Sequence, residues 1–168
     1  MNSLTAQIAK QRLEEVISFL GVNVDAQAEV TEDGIELTVA ATPATPRLIG
    51  HRGETLRAIE YLVSQMIKRQ EPDAPRILVD IAGYKQARRR TLEDLAHEVA
   101  TKVIEAGQAE ELAPMNPAER RIVHMTLRTI PGVHSESTGT GKGRRITVSP
   151  APGQPAEAAT PESEPATE

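Results

Sequence analysis

Residues 48–63 read LIGHRGETLRAIEYLV and set two glycines, three positions apart, between an apolar dipeptide and a segment of helical period. Glycine reaches backbone angles closed to other residues, so Gly50 and Gly53 permit a sharp bend and a close approach to another molecule. His51 and Arg52 between them can both carry positive charge. The helix that follows, expected over 55–68 with Leu56, Ile59, Leu62, Val63 and Met66 facing inward, aims its N-terminal N–H groups and positive dipole end at the turn. A phosphate suits such a place.

The elements around this turn follow from periodicity and punctuation. Residues 4–20 predict a helix with Leu13, Val16, Ile17 and Leu20 on one face, Ser3 at its start and Gly21 at its end. Strands over 26–31 and 35–40 flank Glu32-Asp33-Gly34, with Val30, Ile35, Leu37 and Val39 alternating. Pro43 and Pro46 delay a short helical turn ending at Ile49. After the breaker run 71–75, a strand over 76–81 alternates Ile77, Val79 and Ile81 with Arg76, Leu78 and Asp80. A long helix over 84–106 turns Leu92, Leu95, Val99 and Val103 inward and stops at Gly107. Its first turns hold Lys85, Arg88, Arg89 and Arg90, the unfavourable end of the dipole for cations, which points to an anionic partner.

Residues 111–115 read as an edge strand. Asn116-Pro117-Ala118-Glu119 then supplies a capping side chain, a proline at the first helical position and an acid at the third. That helix should close near 130–132, and strands over 133–138 and 144–149 should form a hairpin across 139–143. From Pro150 the chain is Pro, Ala, Glu, Ser and Thr apart from one Gly and one Gln, the composition of a disordered acidic tail. The fold class is therefore α+β, as two small αβ domains.

Composition narrows the chemistry. The chain has no cysteine, which removes disulfides, thiol catalysis and thiolate metal sites and fits a reducing compartment. No leader and no span of roughly 20 apolar residues is visible, so a cytoplasmic location without membrane insertion is expected. The net charge of -5 misleads as a single figure. Residues 1–47 hold 3 basic and 7 acidic groups, 150–168 hold 0 and 4, and 48–149 hold 16 and 13. With Phe19, Tyr61 and Tyr84 as the only aromatics, stacking platforms for bases are largely excluded. Adjacent acids such as Glu14-Glu15 point about 100° apart on a helix and make no acid/base pair. The GTGKG run at 139–143 lacks the glycine at 136 and the hydroxyl after Lys142 that a phosphate loop needs. Glu93 and His97 read as an exposed pair one turn apart. No catalytic constellation, metal site or cofactor site is expected, and a binding protein is the economical reading.

The helix, hairpin, helical turn, Gly-x-x-Gly, helix and strand of the first half resemble a KH domain of type II, whose loop clamps the backbone of about four nucleotides. The resemblance implies a three-stranded sheet packed by helices over 1–82 and assigns Ile49, Gly50, His51, Arg52, Gly53 and Arg57 to RNA binding, with an apolar groove formed by Ile49, Leu56 and the second hairpin strand. In the second half Arg120, Arg121, His124 and Arg128 share an arc of roughly 100° on the Asn116-capped helix, with Ile122, Val123 and Ile130 opposite and Leu127 at the border. Arg120 and His124 match the signature of the R-three-H domain, an Arg, three residues and a His, a module associated with single-stranded nucleic acid. That implies a small sheet on two helices over 83–149, with Arg144, Arg145 and Lys142 extending the cationic patch.

The tandem order resembles the Jag/KhpB (SpoIIIJ-associated) family of bacterial RNA-binding proteins. This implies single-stranded RNA as ligand, with single-stranded DNA as the alternative. It also implies a small KhpA-type KH protein as heterodimer partner, or a homodimer, and a regulatory or RNA-chaperone role tied to cell elongation or division. Many members carry an N-terminal Jag domain, which this sequence is expected to lack. The rival reading is a protein-interaction or dimerisation module.

Overall fold

The computed structural model describes residues 2–151, which divide into two compact units between Ala87 and Arg88. The acidic tail expected from Pro150 onward lies outside the described residues from 152. Pro150 itself ends a strand. No helix among the described residues is long and apolar enough to cross a membrane.

The first unit contains α1 (Asn2–Phe19), β1 (Ala26–Thr31), β2 (Gly34–Val39), α2 (Thr45–Ile49), α3 (Glu54–Gln70) and β3 (Ile77–Ile81). β2 is the central strand, antiparallel to β1 and parallel to β3. A parallel neighbour requires a crossover. Here the crossover is α2, a 3-10 turn over His51–Gly53, and α3, so the glycine turn sits between two parallel strands. Register places Ile35 opposite Ile77, Leu37 opposite Val79 and Val39 opposite Ile81, and all six are buried with Leu13, Ile17, Leu48 and Leu56. Val30, on the same alternation, reaches the end of the sheet and is 44% exposed. Both sheet edges are tied to helices. Glu14 accepts from Ala26 N at 2.9 Å on β1, and Glu60 accepts from Val79 N at 2.8 Å on β3, occupying amides that would otherwise face a foreign strand.

The inward faces of the helices differ in part from their periodicity. α3 buries Leu56, Ile59, Val63 and Ile67, while Leu62 is half exposed and Met66 only partly covered. Leu62 and Met66 lie one turn apart on the same flank of the helix, and the sheet selects instead the stripe through Ile59, Val63 and Ile67. α1 buries Ala6, Ala9, Leu13 and Ile17, of which the two alanines are small enough to let its first half lie close, and Leu20 falls beyond the helix end.

α4 (Tyr84–Ala106) starts in the first unit and continues into the second, which adds β4 (Glu110–Glu111), α5 (Pro117–Leu127), β5 (Val133–Thr138) and β6 (Arg145–Pro150). The sheet order is β4-β6-β5, all antiparallel, over a core of Leu92, Val99, Val103, Val123, Leu127, Ile146 and Val148. β4 is only two residues, where a strand over 111–115 was expected. Leu112 N and Met115 N still bond to Ile146 O and Arg144 O, but Pro114 has no N–H to continue the ladder.

Three of the four cations at the start of α4 are paired within the chain, and Arg90 is exposed. Lys85 pairs with Glu60, Arg88 with Glu119 and Arg89 with Glu93, and Asp80 accepts from Lys85 N at 3.1 Å. These acids account for Lys85, Arg88 and Arg89 of the four cations that the sequence alone assigned to an outside anion. Glu93 is thereby spent on Arg89 and not on His97.

α5 is held by an observed capping box. Asn116 Oδ1 accepts from Ala118 N and Glu119 N, and Glu119 Oε2 accepts from Asn116 N. Glu119 Oε1 simultaneously accepts from Arg88 Nε at 2.8 Å, and its side chain is 6% exposed. Glu119→Ala removes the box and strips Arg88 of its partner, with an expected loss of about 2–4 kcal/mol. Asn116→Ala should cost about 1 kcal/mol. Urea unfolding followed by circular dichroism, together with amide exchange in α5, measures both.

Candidate nucleic-acid interface

In the first unit Gly50 has φ 71°, Arg52 φ 48° and ψ 35°, and Gly53 φ 75°. Holding a non-glycine residue in the left-handed region costs about 1–2 kcal/mol, so the surroundings must enforce it. They do so by contact. A Cβ on Gly50 would overlap Thr55 Oγ1 and lie 2.9 Å from Thr55 Cβ, and one on Gly53 would lie 2.8 Å from Tyr84 Cε1. The start of α4 thus packs beneath the loop.

Gly53 is the N-cap of α3 and brings no capping side chain, which leaves the first-turn amides without a side-chain acceptor at the cap. His51 is exposed, Arg52 is half-buried, and Arg57 is exposed one turn further along. Ile49 packs partly against the core. Of the six residues expected here, His51 and Arg57 are exposed, Ile49, Gly50 and Arg52 are half-buried, and Gly53 is buried. Leu56, expected in an apolar groove, is 2% exposed and belongs to the core beneath it. Glu54 in the first turn of α3 opposes an incoming anion and limits how strongly this turn alone attracts one.

In the second unit α5 turns Val123 and Leu127 fully inward and leaves Arg121 and Arg128 exposed, with Arg120 and His124 between the two environments. Leu127, placed at the border of the cationic arc by its helical angle, is instead 1% exposed, and Ile122 is only partly covered. A depression of about 390 Å³ is lined by Pro117, Arg120, Arg121, His124, Ser137, Arg144 and Ile146. Arg120 donates to Met115 O at 2.8 Å, and Arg144 Nε donates to Ser137 Oγ at 2.9 Å, so both guanidinium groups are oriented by one bond and keep further donors.

Strand alternation sorts the hairpin cations. Arg144 falls on the side of Ile146 and joins the depression, whereas Arg145 points the other way and pairs with Glu111 at 2.8 Å. A second depression, of about 200 Å³, is lined by His124, Leu127, Arg128, Val133, His134 and Ser135. His124 is shared by both and hydrogen-bonds through Nδ1 to Ser135 Oγ at 2.8 Å. With Nδ1 occupied, Nε2 is the ring atom left for a ligand. Ser135 was not among the expected site residues. Its sequence signal was a hydroxyl on the inward register of a strand, where it is 7% exposed and requires a partner.

Residues 90–150 match the R-three-H domain family. Over 138 residues the chain is 36% identical to the RNA-binding protein KhpB of Clostridium symbiosum, covering 82% of this chain and 62% of that protein. The chain is a homologue of the KhpB proteins. It is 28% identical over 145 residues to KhpB of Bacillus subtilis, covering 85% and 69%, and 27% identical over 130 residues to KhpB of Streptococcus pneumoniae, covering 75% and 39%. The chain thus spans between about two fifths and about two thirds of the lengths of these KhpB relatives.

Gly53→Ala should lower stability by about 1–3 kcal/mol, from the positive φ and the collision with Tyr84, read as a fall in the urea midpoint with tyrosine fluorescence as probe. Ser135→Ala should leave the fold intact and free the His124 ring. Broadened or shifted His124 ring signals in NMR are the expected result, and unchanged signals would remove Ser135 from its anchoring role.

Proposed function

We propose that the chain is a non-enzymatic binder of single-stranded RNA with two sites, the loop from Ile49 to Gly53 with Arg57, and the α5 face of Arg120, Arg121, His124 and Arg128 with Arg144. The observation that carries this reading is the convergence of Arg120, Arg121, His124 and Arg144 on one depression within the matched domain. Several oriented donors around a shallow cavity fit phosphate and sugar groups better than an apolar ligand. The relatives' printed name supports RNA as the class of ligand.

The domain assignment follows the same reasoning. Residues 1–82 are read as a type II-like KH domain, supported by the mixed sheet with β2 parallel to β3 and by a glycine turn within the crossover. Residues 83–149 are read as the R-three-H domain. The proposal extends, on the resemblance to the Jag/KhpB family alone, to a cytoplasmic post-transcriptional regulator or RNA chaperone acting in cell elongation or division. On the same resemblance it includes pairing with a small KhpA-type KH protein or with a second copy.

Two weak modules gain avidity when one strand engages both. Changing His51 and Arg52 to Asp, or Arg120 and His124 to Ala, should each weaken binding of a long RNA oligomer by about tenfold or more at low salt, with melting temperature little altered. If about four phosphates are neutralised, affinity should fall with a log-log salt slope of roughly -3. A salt-insensitive interaction with a concentration-dependent mass would instead indicate a protein-interaction module. Equal affinity for matched DNA would remove the 2'-hydroxyl from recognition.

A further inference from the structure

A third depression of the second unit lies outside the Arg120–His124 site, on the opposite flank of α5. It measures about 510 Å³ and is lined by Arg89, Glu93 and His97 of α4 and by Ile122, Met125, Thr126, Thr129 and Arg121 on or just beyond α5. Arg121 also lines the depression of Arg120, His124 and Arg144. One guanidinium therefore borders both, and nothing else on α5 is shared between them.

The chemistry of the groove is mixed in a particular way. Met125 is 47% exposed and, beside the partly covered Ile122, offers a soft apolar surface of the kind that lies well against an aromatic face. Around it are polar groups with capacity to spare. Thr126 Oγ1 donates to Ile122 O at 3.0 Å and Thr129 Oγ1 to Thr126 O at 2.7 Å, so each hydroxyl has used its proton and still accepts. Arg89 donates to Glu93 through Nε, which leaves its terminal nitrogens as donors. A flat ring with donors and acceptors on its edge matches this set, and Arg121 supplies charge where a phosphate would cross from one depression to the next.

We infer that the α4–α5 groove is a nucleobase subsite, taking a base of the same strand whose backbone is held at Arg120, His124 and Arg144, with Arg121 spanning the intervening phosphate. This rests on the RNA-binding reading of that face. It places the base discrimination of the second unit on Met125, Thr126 and Thr129 and not on the Arg and His of the motif.

The test uses the full chain with His51 and Arg52 changed to Asp, so that the second unit alone binds, and labelled uridine and adenosine tetranucleotides and octanucleotides. The octanucleotide should bind more tightly than the tetranucleotide. Met125→Glu should abolish that gain, a loss of about fivefold beyond whatever fall in tetranucleotide affinity its charge causes one turn from Arg121. Thr129→Val should shrink the difference between uridine and adenosine octamers. A length gain that survives Met125→Glu overturns the inference while leaving the Arg120–His124 reading in place. Tetranucleotide binding that is absent, or indifferent to Arg120→Ala, overturns that reading and this inference with it. If Met125→Glu instead abolishes a concentration-dependent mass and leaves RNA affinity intact, the groove is a protein contact and the inference is wrong.

Discussion

The second unit depends on one carboxylate. Glu119 closes the N-terminus of α5 through Asn116 N and binds Arg88 of α4 at the same time, so a single side chain fixes both where α5 begins and which helix it lies against. The rotation of α5 about its axis then follows, since Val123 and Leu127 must enter the core once Glu119 is buried. The remaining positions of the helix have no freedom. Arg120, Arg121, His124 and Arg128 are carried outward as a consequence of a capping box, and the cationic face is a by-product of how the acid is satisfied.

The first unit reaches its presentation by a different route. α2 has five residues and cannot persist alone, and its one fully buried side chain, Leu48, contributes about 2 kcal/mol of anchoring. That anchor, the crossover geometry and the packing of Tyr84 and Thr55 against the glycines together force Arg52 into the left-handed region. The strain is local, and Gly53 at the N-cap adds no side-chain acceptor for the amides at the start of α3.

Much of this could be read from the amino acids because alternation and capping are local rules. The inward set Ile35, Leu37, Val39, Ile77, Val79 and Ile81, the Asn116 box and the glycine turn all follow from spacing within a few residues. What could not be read depends on partners distant in sequence. Ile67 displaces Leu62 and Met66 because the sheet, not the helix, selects the stripe. The acids that neutralise Lys85 and Arg88 lie 25 and 31 residues away, and the serine that engages His124 lies 11 residues away across a turn. Periodicity carries no information about such pairs.

Those long-range pairs change how the charge of this protein should be understood. A cation bonded to a buried or half-buried acid is part of the scaffold, whatever its place in a basic run, and Arg88 and Lys85 are of that kind. Among the described residues Arg121 and Arg128 have no acidic partner, and Arg120 and Arg144 bond only to neutral oxygens. Counting charges along the chain merges the two classes, which is why a chain of net charge -5 can still present a concentrated positive surface. The sorting also separates affinity from selectivity in this unit. Guanidinium groups with spare donors hold a backbone of any sequence, so preference among bases has to come from neutral groups of fixed geometry, and beside these cations such groups lie along α5 and the facing strand.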